Sequence, residues 1–383
     1  MIFYDNCLSA VTEKLVELLM RVRLSITFFA LLFFSGQACA DGWQQDGSVA
    51  IAGAYNTNPS LSAAYPGGAW IGSVTPSYTL RGIFGANQYR TGLSYLIERS
   101  SNTAVWSSRE DPTVFLEWKR QADLSEFGLF TQYHESSARA SQVNNIGPNF
   151  VDTNAFYRVI KATWNRELSE RSAFFADCSY ENVTFGGGIY NNYVTRSANM
   201  LTKFELSERS GPFIKLSYAD YLPENAQLSR LNTVMLGWNW VASLRLEGDM
   251  QIGKTTGVNV PLDTLYGATM HYKSESTGLD LSANRQALLS GLSGFILIDS
   301  VVGSWKYSLS EVNTSGIDLT WWKNHYPDAI TNSSAAAWLE HVFNSGWKGR
   351  AYYMHRISKQ AGLGGSASSN EVGINLVYSQ TDL

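Results

Sequence analysis

Along nearly its whole length the chain alternates between apolar and polar positions with a period of two. Leu244, Leu246, Met250 and Ile252 oppose Arg245, Glu247, Asp249 and Gln251. Val49, Ile51, Gly53 and Tyr55 share one face, with Ser48, Ala50 and Ala52 on the other. Trp70, Val74, Tyr78 and Leu80 stand against Ser73, Thr75, Ser77 and Thr79; Val234, Leu236, Trp238 and Trp240 against Thr233, Gly237 and Asn239. Ile317, Leu319 and Trp321 oppose Asp318, Thr320 and Trp322. Successive side chains of a strand point to opposite faces, so each run predicts a strand with one apolar and one wet side. About eighteen strands fit, with sixteen as the alternative. They fall near 47–56, 69–82, 86–98, 111–121, 126–136, 154–166, 171–184, 190–205, 211–221, 229–241, 243–254, 263–274, 278–286, 294–308, 314–323, 334–344, 346–357 and 368–380.

The connections between these runs alternate in length. Short ones fall at 84–86, 122–125, 168–171, 206–209, 274–276, 309–311 and 345–346. Long ones fall at 57–68, 99–110, 137–153, 222–228, 255–262, 324–333 and 358–367. Bacterial membrane barrels keep short turns in the periplasm and longer loops outside, and an even strand count leaves both termini in the periplasm. The predicted fold is all-β: a transmembrane, antiparallel, up-and-down β-barrel.

The two chain ends agree with this. Met20-Arg21-Val22-Arg23, an apolar run from Leu24 to Phe34 and Ser35-Gly36-Gln37-Ala38-Cys39-Ala40 have the layout of a secretory signal. Cleavage is expected between Ala40 and Asp41. Residues 1–19 fit no part of a signal and read as a mis-assigned upstream extension. Residues 41–383 are then a single barrel domain. Val372, Ile374, Leu376 and Tyr378 share one face of the last strand. Glu371, Gly373, Leu376 and Tyr378 resemble the signal by which the outer-membrane assembly machinery recognises its clients, although the chain continues through Ser379–Leu383.

Composition narrows the function. The formal net charge is −4 and no stretch is strongly basic, so nucleic-acid binding has no electrostatic support. Of three cysteines only Cys178 lies beyond the leader, which excludes an internal disulfide. The five histidines, His134, His271, His325, His341 and His355, lack metal-ligand spacing, and there is no nucleophile elbow or phosphate loop. A hydrolase on the barrel wall would have only His355 as a base. Transport without a cofactor is expected over catalysis.

A turn phrase repeats: Trp164-Asn165-Arg166-Glu167-Leu168-Ser169-Glu170-Arg171-Ser172 is echoed by Lys203-Phe204-Glu205-Leu206-Ser207-Glu208-Arg209-Ser210. Its bland reading is good turn chemistry. Together with Tyr55-Asn56-Thr57-Asn58-Pro59 after the first strand, it resembles the outer-membrane β-barrels of bacterial exopolysaccharide and exosortase gene clusters. The resemblance implies a pore exporting an exopolysaccharide across the outer membrane, with outer-membrane lipid, the barrel assembly machinery and periplasmic polysaccharide-export proteins as partners. It assigns no individual residue a role.

Strand parity supplies candidates for the pore lining: Arg245, Glu247, Asp249, Asp318, Trp322, Lys348, Arg350, Tyr352 and Arg356. Lumen charges of both signs pair across a water-filled barrel, and rings of charge impose ion selectivity. Arg350, Tyr352 and Arg356 on one strand would suit an anionic polymer, with Glu340, Glu371 and Asn375 as neighbours. The alternatives to export are a general or substrate-selective diffusion porin and a structural or adhesive surface barrel. A loop folded into the lumen favours the porin, with 137–153 as the longest candidate. An unobstructed, aromatic-lined lumen favours the exporter. N-terminal sequencing of the exported protein is expected to begin at Asp41-Gly42-Trp43; a start at Met20 or earlier would exclude the leader.

Overall fold

A computed structural model describes residues 42–381 except 63–66, 139–152, 188–189, 261–262, 291–293, 326–328, 345 and 361–364. The expected leader and its Ala40–Asp41 junction lie outside the described residues. Eighteen strands form one antiparallel sheet. They are β1 (Trp43–Asn56), β2 (Ala69–Phe84), β3 (Asn87–Ser100), β4 (Arg109–Ala122), β5 (Ser125–Ser137), β6 (Asn154–Ser169), β7 (Ser172–Phe185), β8 (Tyr193–Phe204) and β9 (Ser210–Pro223). The second half comprises β10 (Ser229–Ser243), β11 (Leu246–Val258), β12 (Thr264–Lys273), β13 (Thr277–Ser290), β14 (Gly294–Ser308), β15 (Asn313–Asn324), β16 (Ile330–Val342), β17 (Trp347–Gln360) and β18 (Gly365–Thr381). Each strand pairs with its neighbours in sequence, and β18 pairs with β1 to close the barrel.

The closing seam shows how side-chain pattern fixes register. Val49 faces Tyr378, Ile51 faces Leu376, Gly53 faces Ile374 and Tyr55 faces Val372. A slip of one residue would put this apolar row into the lumen. Around the rest of the wall, Leu116, Ile160, Leu216, Leu236, Ile252 and Leu319 lie exposed on the same outer surface. Such a belt is intelligible when hydrocarbon is the solvent. Closure pairs every wall strand on both sides, which a bilayer requires because it offers the backbone no hydrogen bonds. Cys178 is exposed on this outer face, in parity with Tyr180.

The end carrying both termini has the short turns and an aromatic girdle: Trp43 on Phe84 at 5.3 Å, Phe127 on Trp164 at 5.9 Å and Trp347 on Tyr378 at 5.1 Å between ring centres. The repeated turn phrase is also here. Ser169 and Ser172 share a hydroxyl hydrogen bond of 2.7 Å, and the Arg171 N–H donates to Ser169 Oγ at 3.3 Å. Ser207, Arg209 and Ser210 repeat the arrangement at 3.1 and 3.3 Å. The serines therefore close the reversal by satisfying its polar groups.

Two expectations are corrected. Arg245 lies in the turn between β10 and β11, where its carbonyl accepts the Lys273 N–H, rather than on a lining strand. The other correction concerns β13, which runs to Ser290 rather than stopping near 286. Its extension pairs Ala287, Leu288 and Leu289 with Leu297, Ile296 and Phe295 of β14. Alternation fails there because both faces of that hairpin are covered, and doubly buried strands read as continuous apolar runs.

At the middle of the outer belt, Leu236→Arg is expected to destabilise the barrel by about 2–4 kcal/mol. Gln251→Arg, on a lumen-facing position, should cost far less. Reversible urea unfolding in lipid vesicles measures both, and equal costs would mean that the faces are assigned backwards.

Candidate functional site: a hairpin across the lumen

Four steps around the wall separate β10 from β14, roughly 19 Å at the usual strand spacing. Yet the two strands also approach within 8 Å at their Cα atoms. The outer half of the β13–β14 hairpin therefore leaves the wall and folds into the lumen. One face packs on the inner surface of β9, β10 and β12: Phe295 joins Tyr221 and Leu231, and Leu297 joins Met235 and Leu265. The rings of Tyr221 and Phe295 are 6.5 Å apart and near-perpendicular. On the other face Ile296 and Ile298 pack with Trp322 and Ile330, with Leu288 against them. Ile296 and Ile298 are 1% and 2% exposed, so the hairpin is seated as firmly as a soluble core.

A clamp holds its root. Arg285 of β13 donates from Nε and Nη2 to both carboxylate oxygens of Asp299 of β14, at 2.6 and 2.8 Å. His325 Nε2 meets Asp299 Oδ2 at 2.8 Å, Arg285 Nη1 reaches Asp263 at 3.5 Å, and the guanidinium lies 5.3 Å above the Tyr266 ring. Neighbours on both sides of the hairpin are thus tied to its base, and the bidentate geometry fixes direction as well as distance.

From the opposite side, the segment after β1 also turns inward. Asn58 receives the Ser62 N–H at Oδ1 and donates from Nδ2 to the carbonyls of Ser62 and Ser368, at 3.1, 2.9 and 3.3 Å. Leu61, with φ of 48°, shares a cavity of about 260 Å³ with Ile298, Ser300, Trp322, Ser334 and Arg356. A second cavity of about 240 Å³ lies between the hairpin and β8–β12, lined by Asn199, Lys215, Ser217, Thr233, Gln251 and Asn284 among others. Both are below the size usual for drug-sized ligands.

The sequence-derived lining candidates fall into two groups. On β15–β18 all but Trp322 fall into two polar clusters, one running from Glu340 to Asp318 and one centred on Glu371. Arg350 donates to Glu340 Oε2 at 3.1 and 2.8 Å, Lys348 Nζ is 3.5 Å from Glu340, and the Arg350 guanidinium lies 4.2 Å above the Trp338 ring. Trp338 Nε1 in turn donates to Asp318 at 2.9 Å, and Ser304 donates to the other Asp318 oxygen at 2.7 Å. Arg356 and the Tyr352 hydroxyl both donate to Glu371, at 3.0 and 2.7 Å, and Asn56 adds a third donor at 2.6 Å. The arginines expected to meet an anionic polymer are therefore engaged by carboxylates of the wall. Trp322 packs under the hairpin instead of presenting its ring to the lumen.

The second group is Glu247 and Asp249 on β11. They line a shared cavity with His271, whose Nδ1 is 2.7 Å from Asp280, and Asp249 accepts the Thr269 hydroxyl. Across the lumen, Lys119 pairs with Glu117 at 3.1 Å, Lys161 faces Asp177 at 3.8 Å, and Lys203 lies 5.6 Å from the Phe175 ring centre. Charges of both signs thus stand around a narrowed, water-accessible passage.

Of the four residues matching the assembly signal, Leu376 and Tyr378 pair with the outer row of β1, whereas Glu371 and Gly373 face the lumen. Gly373 has a local reason for its identity: a Cβ there would come within 2.5 Å of the Tyr352 ring. Sequence reasoning missed the hairpin itself and the Arg285–Asp299 clamp. The signal that could have found the hairpin is the loss of alternation at 287–289 and 295–298. The constriction proposed for 137–153 falls almost wholly outside the described residues.

No protein-family profile and no curated protein matches the sequence. Solved structures do match, and they are outer-membrane barrels. OccAB4 of Acinetobacter baumannii aligns at 10% identity with a TM-score of 0.52, over 89% of this chain and 99% of that one. OccK5 (OpdH) of Pseudomonas aeruginosa aligns at 9% identity and 0.53, over 90% and 99%. The outer membrane protein opdK of Pseudomonas aeruginosa gives 9% and 0.50, over 88% and 98%. At such identities the likeness is one of fold. The fold is the closed eighteen-stranded antiparallel barrel of the bacterial outer membrane, and the chain is porin-like.

Arg285→Ala is expected to release the hairpin root and raise single-channel conductance in planar bilayers severalfold, with noisier openings; an unchanged trace would show that apolar seating alone holds the hairpin. Arg356→Gln leaves Glu371 short of a cationic partner and should shift reversal potentials toward cations, whereas Arg158→Gln on the outer face should not.

Proposed function

We propose that the protein is a selective diffusion channel for small polar solutes. The observation that carries this reading is the β13–β14 hairpin, seated across the lumen on both its faces. It divides the passage into flanking slots bordered by amides, hydroxyls and cations: Lys215 and Arg285 in one, and Arg356, paired with Glu371, in the other. Small solutes exchange water for those groups one at a time, and charge and size decide entry. A folded polymer strand would have to displace a packed apolar hairpin. Export of an exopolysaccharide, the first expectation from the turn motifs, draws no support from the fold comparisons, and the ion-paired state of Arg350 and Arg356 removes its binding rationale. The outer-membrane porin structures that share the fold favour the diffusion reading over the export reading.

Replacement of 287–297 by a short Gly-Ser turn is expected to raise conductance and admit larger sugars and amino acids in liposome-swelling assays. If the size limit stays the same, the hairpin is not the filter. In a strain lacking the gene, surface polysaccharide should stay normal while uptake of a small solute slows; polysaccharide held in the periplasm would restore the export reading.

A further inference from the structure

On β5–β7 the outer face near the termini carries a ring cluster, Phe127, Trp164 and Phe174, with the exposed Arg166 opposite Phe174. Near the loops, the same stretch of wall carries cations. Arg158 on β6 is two residues from the lipid-facing Ile160, Arg196 on β8 is four from Met200, and Lys254 on β11 is two from Ile252. All three lie within the five residues of their strands nearest the loops. All three are exposed, and among the described residues none forms an ion pair within 4 Å.

Between them sits a built anchor. Arg196, Asp220 and Arg230 are directly opposite one another across β8, β9 and β10. Asp220 is buried, accepting Arg230 Nε at 2.8 Å and the Tyr218 hydroxyl at 2.6 Å, with the Arg230 guanidinium 5.7 Å from the Tyr218 ring centre. One carboxylate between two guanidiniums leaves the triad with net positive charge. Arg196 holds that surplus at the surface.

We propose that this rim, β6 to β11 at the loop end, docks a lipid of the outer leaflet whose headgroup carries more than one phosphate. A bare cation on the lipid-facing side is tolerated only near the interface, and there it is attracted to anionic headgroups. Alternate strands place Arg158, Arg196 and Arg230 about 10 Å apart along the wall, a span that two phosphates on one sugar headgroup can bridge. Guanidinium groups meet phosphate bidentately. The inference concerns the lipid-facing surface and does not depend on which solute passes through the lumen.

The test is native mass spectrometry of the intact barrel in detergent, offered three probes: a bisphosphorylated glucosamine-disaccharide lipid, the same lipid stripped of phosphate, and phosphatidylcholine. The native protein is expected to retain the bisphosphorylated lipid selectively, with retention falling as salt rises. Affinity should fall roughly fivefold for Arg196→Gln alone and roughly a hundredfold for Arg158→Gln, Arg196→Gln and Lys254→Gln together. Lysine at both arginine positions should keep most of the binding. Heat-dependent gel mobility confirms that each variant is folded, and Arg196→Gln, which breaks no ion pair, serves if the triple variant does not assemble. Equal retention of the phosphorylated and stripped lipids, or undiminished binding by folded Arg196→Gln and the triple variant, would overturn the proposal.

Discussion

Everything in this molecule depends on the seam between β1 and β18. Eleven residue pairs, from Asp46 with Thr381 to Asn56 with Glu371, convert an open sheet with two unpaired edges into a closed wall. In water, an open edge would find solvent. In hydrocarbon it would leave a row of N–H and C=O groups unsatisfied, each at several kcal/mol. Closure therefore lets the apolar belt face lipid, and it gives the lumen an inside at all. The register of the seam is set by apolar rows that must share the outer face, so the same residues that meet lipid also align the backbone.

The inside is governed by a different balance. The lumen is wet enough to hold charged side chains and narrow enough that they reach one another. Glu371 gathers Arg356, Tyr352 and Asn56, while Glu340 gathers Arg350 and Lys348. Such networks brace the wall and set the local field. Against that polar lining the β13–β14 hairpin is anomalous: an apolar element seated inside a polar tube. It is stable there because the facing wall supplies an apolar patch, Tyr221, Leu231, Met235 and Leu265, on otherwise hydrophilic strand faces.

The outside carries a second division. Rings gird the wall at both ends, with Trp43, Phe84 and Trp164 by the turns and Tyr55 and Trp70 by the loops, and on β6–β11 the loop end adds Arg158, Arg196 and Lys254. Indole and phenol rings suit an interface of mixed polarity, whereas exposed guanidinium groups require anionic company. One barrel thus holds three kinds of environment: a hydrocarbon belt, the interfaces at its two ends and a charged passage. All three are made from strands whose faces differ residue by residue.

Period-two alternation determined the fold class and which face of each strand meets lipid, and narrowed the strand number to sixteen or eighteen, because lipid and water select side chains one position at a time. The Leu-Ser-Glu-Arg-Ser turns were legible as turns for a similarly local reason: their serines bond their own backbone and side-chain neighbours. The charged lining of β15–β18 was legible as lining from parity. Its pairing was not, since Glu371 meets Arg356 only through strand register and Glu340 meets Arg350 across a hairpin. The hairpin in the lumen was hidden more deeply. Ala287–Leu289 and Phe295–Ile298 announce burial on two sides, but burial against what depends on β9, β10, β12, β15 and β16, which are distant in sequence. Where a side chain's partner is its solvent, sequence suffices; where its partner is another wall of the same barrel, only the closed structure decides.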